Sequence, residues 1–468
     1  MKIKNIAIAL LIALGMPLTA SADRQPKVAH PQAHTFKLRI SLTDKKNCGF
    51  SVKKPEAFLS AKSIARRKRF GLKVDEHDLP LTAAYVDRLR QMGLRFVNQS
   101  KWANSVVMQA SDTLVMADIR RLPFVKDVRC VWVAPDSINA EEPVNRTEEL
   151  ARRNDPDTIP SIYGAGQQQT EMLNLQPLHE AGYKGKGITI AVIDGGFHNA
   201  DLVPGLPQRQ ILGTRNFVRP EKSVYDELSH GMMVLSCIAA NEPHRLVGTA
   251  PKASFYLLVS EDGESEQMVE QDNWCAAVEY ADSLGCDIVT SSLGYTEFDH
   301  PWMTNPYRDL NGRTAINSRV ASLAASRGIV LLNSAGNSGM DSWKKIGTPA
   351  DATDILTVGA LFNDSTLAFF SSIGNTADNR IKPDVVAMGV NDAVYDIDGN
   401  VETANGTSFS CPVMCGAVAC LMQAYPQATP MQIMEAVRKS GNNAAHPDNI
   451  YGYGLPDMQK AFDLLKQK

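Results

Sequence analysis

From Gly187 onward the chain alternates short, nearly unbroken runs of Val, Ile and Leu with longer helical stretches. No other feature limits its fold as strongly. The apolar runs are 188–193, 254–259, 287–291, 328–333, 355–358 and 384–388, and the helical stretches are 230–240, 272–284, 314–327, 408–425, 430–440 and 458–466. A strand with one wet face alternates apolar and polar residues; these runs do not, so both faces must be covered. The class expected is α/β, a mostly parallel sheet with helices on both sides. In such sheets ligands bind beyond the carboxyl ends of the strands. With 44% hydrophobic and 21% charged residues, 468 residues can bury a core of that size.

The chain divides into four parts. Residues 1–22 have the layout of a secretory signal peptide: Lys2 and Lys4, an apolar run from Ile6 to Leu18, then Ala20-Ser-Ala22. That run has 13 residues, short of the roughly 20 that span a bilayer. No later segment reads as long and apolar enough to cross a membrane, so no stable membrane span is expected. The mature protein is expected outside the cytoplasm, extracellular or periplasmic. Residues 34–135 read as strand, helix, two strands, helix and strand (35–40, 81–92, 94–99, 105–110, 113–122, 128–133), the split βαβ order of a small α+β ferredoxin-like domain. Residues 136–169, with Pro143, Pro156, Pro160 and Gly164-Ala-Gly166, read as an exposed linker. Exposed linkers are where proteases cut. Residues 170–468 hold the sheet.

Charge separates these parts. Residues 23–150 carry a net +8 and residues 151–468 a net −13, which points to the front half docking on the back half. The basic run Ala65-Arg-Arg-Lys-Arg-Phe70 then reads as a solvated helix face or a docking patch, and no nucleic acid partner is expected. Of eight cysteines, Cys411, Cys415 and Cys420 share one helical stretch and Cys237 lies on another. Such residues behave as small buried hydrophobes. Most are expected to be free thiols, a Cys48–Cys130 bridge being left open. No cysteine or histidine spacing fits a zinc site.

Three residues stand where chemistry would be placed. Asp194 closes the run 188–193, His230 opens a helix, and Ser408 lies in Gly406-Thr-Ser-Phe-Ser-Cys-Pro412, where a loop tips into a helix. Acid, base, hydroxyl is one of three chain orders that build a serine nucleophile. Serine is a poor nucleophile until an imidazole can take its proton. Ser408 would attack a carbonyl carbon, His230 would accept the proton and pass it to the leaving group, and Asp194 would fix the imidazole tautomer. Asn337, in Asn333-Ser-Ala-Gly-Asn-Ser-Gly339, is the candidate side-chain donor to the developing oxyanion. Singly, these are a turn residue, an N-cap and a turn; their order and the elements carrying them make them a set.

These segments resemble the subtilisin-like serine proteases (subtilases). Ile190-Ala-Val-Ile-Asp-Gly195 is similar to the family's aspartate motif, Ser229-His-Gly231 to its histidine motif, Gly406-Thr-Ser-Phe-Ser-Cys-Pro412 to its serine motif, and Ala335-Gly-Asn337 to its oxyanion asparagine. The resemblance implies a serine endopeptidase acting through an acyl-enzyme, with residues 34–135 as a propeptide that chaperones and inhibits its own catalytic domain. It also implies that Ser292, Leu293 and Gly294 bind an extended substrate backbone. Ser334, Ala335 and Gly336 would then wall the pocket before the cut, with Gly347 at its floor. The departures are Met232 for a common Thr, Gly195 for Ser or Thr and Phe409 for Met. None removes a proton-carrying group. The alternative is an inactive subtilase-fold peptide-binding protein. A lipase or esterase is disfavoured by the missing Gly-x-Ser-x-Gly elbow. No cofactor is required; structural calcium, common in the family, is possible but unassigned, since neither the Asp392, Asp396 and Asp398 cluster nor any other loop shows clear ligand spacing. The loop 296–312 is either a lid beside the substrate edge or a self-packed surface loop.

Overall fold

A computed structural model describes residues 27–29, 33–139 and 159–466. The expected signal segment 1–22 and residues 140–158 of the expected linker lie outside the described residues. The N-terminal unit consists of β1 (Phe36–Leu42), α1 (Ala61–Arg69), α2 (Ala83–Gln91), β2 (Arg95–Ser100), β3 (Ser105–Ala110), α3 (Val115–Arg120) and β4 (Val125–Val133). Its strands lie in the order β2-β3-β1-β4, each neighbour antiparallel, the split βαβ arrangement expected. Leu38, Ile40 and Met108 of the sheet close a core with Leu89 of α2 and Ile119 of α3. The 128–133 run extends back to Val125, and the basic run 65–70 belongs to a helix, α1, that begins at Ala61.

The larger unit consists of β5 (Thr189–Asp194), β6 (Ile211–Asn216), α4 (His230–Ala239), β7 (Ser254–Val259), α5 (Val269–Leu284), β8 (Ile288–Ser291), α6 (Ile316–Leu323), β9 (Val330–Ser334), β10 (Leu356–Leu361), β11 (Val385–Met388), the hairpin β12 (Asp392–Tyr395) and β13 (Val401–Ala404), α7 (Thr407–Ala424), α8 (Pro430–Ser440) and α9 (Met458–Lys466). Seven strands form one parallel sheet in the order β11-β10-β9-β8-β5-β7-β6. Alternate residues of β5 serve opposite layers. Ile190 and Val192 pack with α4 and α7, whereas Ala191 and Ile193 pack with α5 and α6. That is why the run is apolar throughout. From β5 the chain moves to β6 and β7 on one side, then crosses to β8 and onward on the other. The order therefore reverses between β5 and β8, and a crevice at their carboxyl ends is the place for a ligand.

The two units are joined by charge, as the uneven distribution predicts. Arg39 of β1 makes a bidentate pair with Asp272 of α5 at 2.7 and 2.6 Å. Glu279 accepts the backbone N–H groups of Lys101 and Trp102 at 2.9 and 3.0 Å. Arg66 and Arg67 of α1 are almost fully buried on Asp282, Arg67 also reaching Asp78 at 2.7 Å. The basic run is thus a docking patch and not a solvated face. The loop 296–312 is tied to the same unit: Phe298 and Met303 bury against Val131 and Trp132, and Arg129 donates to the Trp302 carbonyl at 3.3 Å.

Two expectations need correction. Residues 164–169 are not exposed linker. Ala165 donates to the Arg245 carbonyl at 2.9 Å, and buried Gln169 accepts from the Ala393 N–H at 2.8 Å, so this stretch packs on the larger unit. One later segment, Thr407–Ala424, does have the length and hydropathy to cross a membrane (18 residues, mean hydropathy 1.3); it is the central helix of the core, covered by the sheet and its neighbours. The edge strand β6 was not foreseen, because Gly213, Thr214 and Arg215 break its apolar pattern. All eight cysteines are free thiols, Cys48 and Cys130 included.

Candidate active site

Asp194 is the last residue of β5 and wholly buried; His230 is the first of α4. A Cβ on Gly231 would stand 2.5 Å from the Gly196 carbonyl oxygen and 2.7 Å from Asp194 Cβ. Glycine there lets the helix begin close enough for His230 Nδ1 to meet Asp194 Oδ1 at 2.8 Å. The same oxygen accepts the Gly195 N–H at 2.8 Å. The other, Oδ2, is buried without a partner among the described residues. Met232 and Gly195, the departures noted above, have no side-chain hydroxyl to offer it. Burial opposes charge on the imidazole, but the Asp194 carboxylate and its hydrogen bond, with Glu261 adding to them, outweigh that cost and raise the His230 pKa above its ordinary value.

Ser408 is the second residue of α7, two after Gly406, whose φ of 150° is a conformation that glycine alone adopts readily. Pro412 stands four residues on and has no N–H to give the Ser408 carbonyl. The Ser292 hydroxyl donates to that carbonyl instead, at 2.8 Å. The Ser408 hydroxyl donates to the Ser292 carbonyl at 3.4 Å rather than to the imidazole. The ring of the next residue, Phe409, lies 5.8 Å from that of His230, centroid to centroid. Rotation of χ1, between staggered wells, re-aims Oγ. Asn337 is held by its carbonyl: Oδ1 accepts both the N–H and the hydroxyl of Thr407, each at 2.9 Å. Its amide nitrogen then faces Gly406, 3.4 Å from where a Cβ would sit, at the mouth of the turn that carries Ser408. Thr407, which also accepts the Gly336 N–H at 3.1 Å, had not been singled out in the sequence.

Of the expected substrate residues, Ser292, Leu293 and Gly294 follow β8 and run outward from buried to exposed. Ser334 ends β9, with Ala335 and Gly336 after it. Asn333 ties the two walls by donating to the Leu293 carbonyl at 2.9 Å. Gly347 lies against Tyr295 and Thr296, where a Cβ would come within 3.0 Å of each. The crevice also contains Glu261, two residues beyond β7, with Glu266 and Glu270 close to it. Calcium takes six to eight oxygens. Here Glu270 already accepts the N–H groups of Asp262 and Gln267 at 2.8 and 3.0 Å, and Glu261 accepts the Tyr295 phenol. Two of the three carboxylates are thus engaged in hydrogen bonds within the protein. Asp396, from the other acidic cluster, is taken up by its own turn, accepting the Asp398 and Asn400 N–H groups at 2.9 and 2.7 Å.

A parallel sheet with these groups at its switch point, preceded by a docked α+β unit, defines the class: a hydrolase-type site with its own cover. Residues 185–454 match the subtilase family, and the chain belongs to it. Residues 37–149 match the Peptidase S8 propeptide domain, Bacteroidota. The protein is therefore a serine-type endopeptidase with a propeptide domain in front. Subtilisin NAT of Bacillus subtilis subsp. natto is 28% identical over 465 residues, spanning 98% of this chain and 100% of that one. A subtilisin of Bacillus pumilus is 31% identical over 288 residues, 61% of this chain and 94% of its own. The crystal structure of MycP1 from Mycobacterium smegmatis shares the fold, with a TM-score of 0.50 at 20% identity over 67% of this chain and 90% of that one.

Proposed function

We propose that the protein is an exported zymogen that cuts its own linker and then hydrolyses peptide bonds through an acyl-enzyme on Ser408. His230 takes the serine proton and passes it to the leaving amine, while Asp194 holds the imidazole with Nδ1 protonated, so that Nε2 is the free base. Asn337 and the N–H groups at the start of α7 receive the oxyanion. The observation that carries the reading is the 2.8 Å contact of His230 with a buried Asp194, at the carboxyl end of the strand beside Ser292 and Ser408. In this reading Ser408 turns from the Ser292 carbonyl to the imidazole when substrate enters; catalytic hydrogen bonds in a free enzyme are often looser than in the complex.

The substrate is an extended peptide or protein segment, lying along 292–294 by strand addition. The uncharged Ser, Leu, Ala and Gly of 292–294 and 334–336 favour an apolar or mixed residue before the cut. The propeptide domain is the first partner, and its contact with Phe298 and Met303 makes 296–312 part of the covered face rather than a free lid. Export rests on the N-terminal charge and apolar pattern. Ser408→Ala is expected to abolish self-cleavage and to lower turnover about 10⁶-fold, while a fluorophosphonate labels the unaltered protein at Ser408. Normal self-processing by the alanine variant, with no other protease present, would overturn the proposal.

A further inference from the structure

Glu261 lies beyond the carboxyl end of β7, next to β5, at the same edge of the sheet as Asp194. A Cβ on Gly195 would sit 3.5 Å from Glu261 Cβ and 3.9 Å from its Cγ. The stem of the glutamate therefore lies at ordinary van der Waals distance from residue 195, beside the buried Asp194. Buried Tyr295, in the loop after β8, donates its phenol to the carboxylate. The ionisable groups within electrostatic reach of Glu261 are Asp194 from β5, His230 from α4, Tyr295, Asp262 and Glu266 from its own loop, and Glu270 from the first turn of α5. Among them His230 is the group that becomes a cation during acyl transfer.

We propose that Glu261 is a positioning residue for the reaction, a second carboxylate that stabilises the His230 imidazolium while the Ser408 proton resides there. The inference rests on the Asp194–His230–Ser408 reading. Its motive is structural: Asp194 Oδ2 has no partner among the described residues, and Gly195 and Met232 supply no side-chain donor to it. An aspartate with weaker hydrogen-bond support leaves room for a further charge to act. Glu261 exchanges no proton with substrate; the proton moves from Ser408 Oγ to His230 Nε2 and on to the leaving nitrogen. Burial, with Asp194 adding to it, pushes the glutamate up to about 7. Its ionisation then falls within the range in which such an enzyme works, and the second charge is lost as pH drops below neutral.

The test uses the self-processed enzyme, with kcat and KM for one peptide measured from pH 5 to 10. Glu261→Gln keeps an acceptor for Tyr295 and removes the charge. It should lower kcat at pH 9 by about three- to thirtyfold with KM little changed. It should also make the acid limb shallower, one ionisation replacing two, and move it to lower pH. The downfield NMR resonance of the His230 Nδ1 proton should titrate at correspondingly lower pH, and Glu261→Asp should restore part of each effect. Tyr295→Phe keeps the charge but withdraws a donor to the carboxylate, so its acid limb should move to higher pH. A Gln variant with the unaltered pH profile and His230 titration overturns the inference. If that variant does not process itself, an unshifted acid limb in Tyr295→Phe overturns it equally. Fluorophosphonate labelling of the unaltered enzyme at Ser408 keeps the triad reading separate: unshifted profiles with labelling intact sink the Glu261 role alone.

Discussion

At the residue scale, the sheet shelters an acid with no role in the site. Asp392, the first residue of β12, is wholly buried, and neither carboxylate oxygen has a partner among the described residues. Burial alone pushes it up to about 8, from an ordinary 3.8. The folded state therefore holds this proton more tightly than the unfolded chain does. The fold is unpenalised below about pH 4, loses stability at up to roughly 1.4 kcal/mol per pH unit between about 4 and 8, and loses no more above that. Asp392→Asn mimics the neutral acid. In a Ser408→Ala background, which removes self-digestion, it should raise the melting temperature at pH 8 and leave it nearly unchanged at pH 4. Equal shifts at both values would show that the acid is not protonated in the fold.

At the scale of elements, α1 shows what a linear reading leaves open. Its arginines lie at adjacent positions, and only the docked structure reveals that Arg66 and Arg67 converge on Asp282 while Arg327 reaches Asp75 at 2.7 Å. Removing one partner of a buried pair strands the other, which costs about 3–5 kcal/mol. An exposed pair such as Arg90–Asp87 contributes about 0.2–1 kcal/mol. Arg67→Ala in the Ser408→Ala chain should therefore lower the unfolding midpoint clearly, and Arg90→Ala should scarcely move it; equal effects would mean that the α1 network is solvated. Elements with an unambiguous period were legible beforehand: β3, β7, α8 and α9 fall where the pattern put them. The edge strand β6 was hidden because half its residues face water, and α1 because charge says nothing of burial. Among the site residues, the Asp194–His230 contact was legible because each closes or opens an element. Glu261 was not, since a carboxylate two residues past a strand is indistinguishable from a loop residue until Gly195 and Tyr295 surround it.

For the whole molecule, the uneven charge and the buried pairs govern different steps. The net +8 of residues 23–150 and −13 of residues 151–468 act at long range before contact and are screened beyond about 10 Å at 0.1 M salt. Once docked, Arg39–Asp272 and Arg66–Asp282 lie away from solvent, where screening ions scarcely reach. The propeptide unit should therefore be captured quickly at low salt and held by contacts that salt barely weakens. Adding the cleaved N-terminal unit back to mature enzyme should inhibit it with an association rate that falls about tenfold between low salt and 0.5 M, and a dissociation rate changed by less than about twofold. The time course of inhibition across a salt series, followed by dilution to watch activity return, separates the two rates. If salt instead accelerates release while leaving capture untouched, the ion pairs are hydrated in solution and apolar contacts such as Trp132 with Phe298 hold the cover in place.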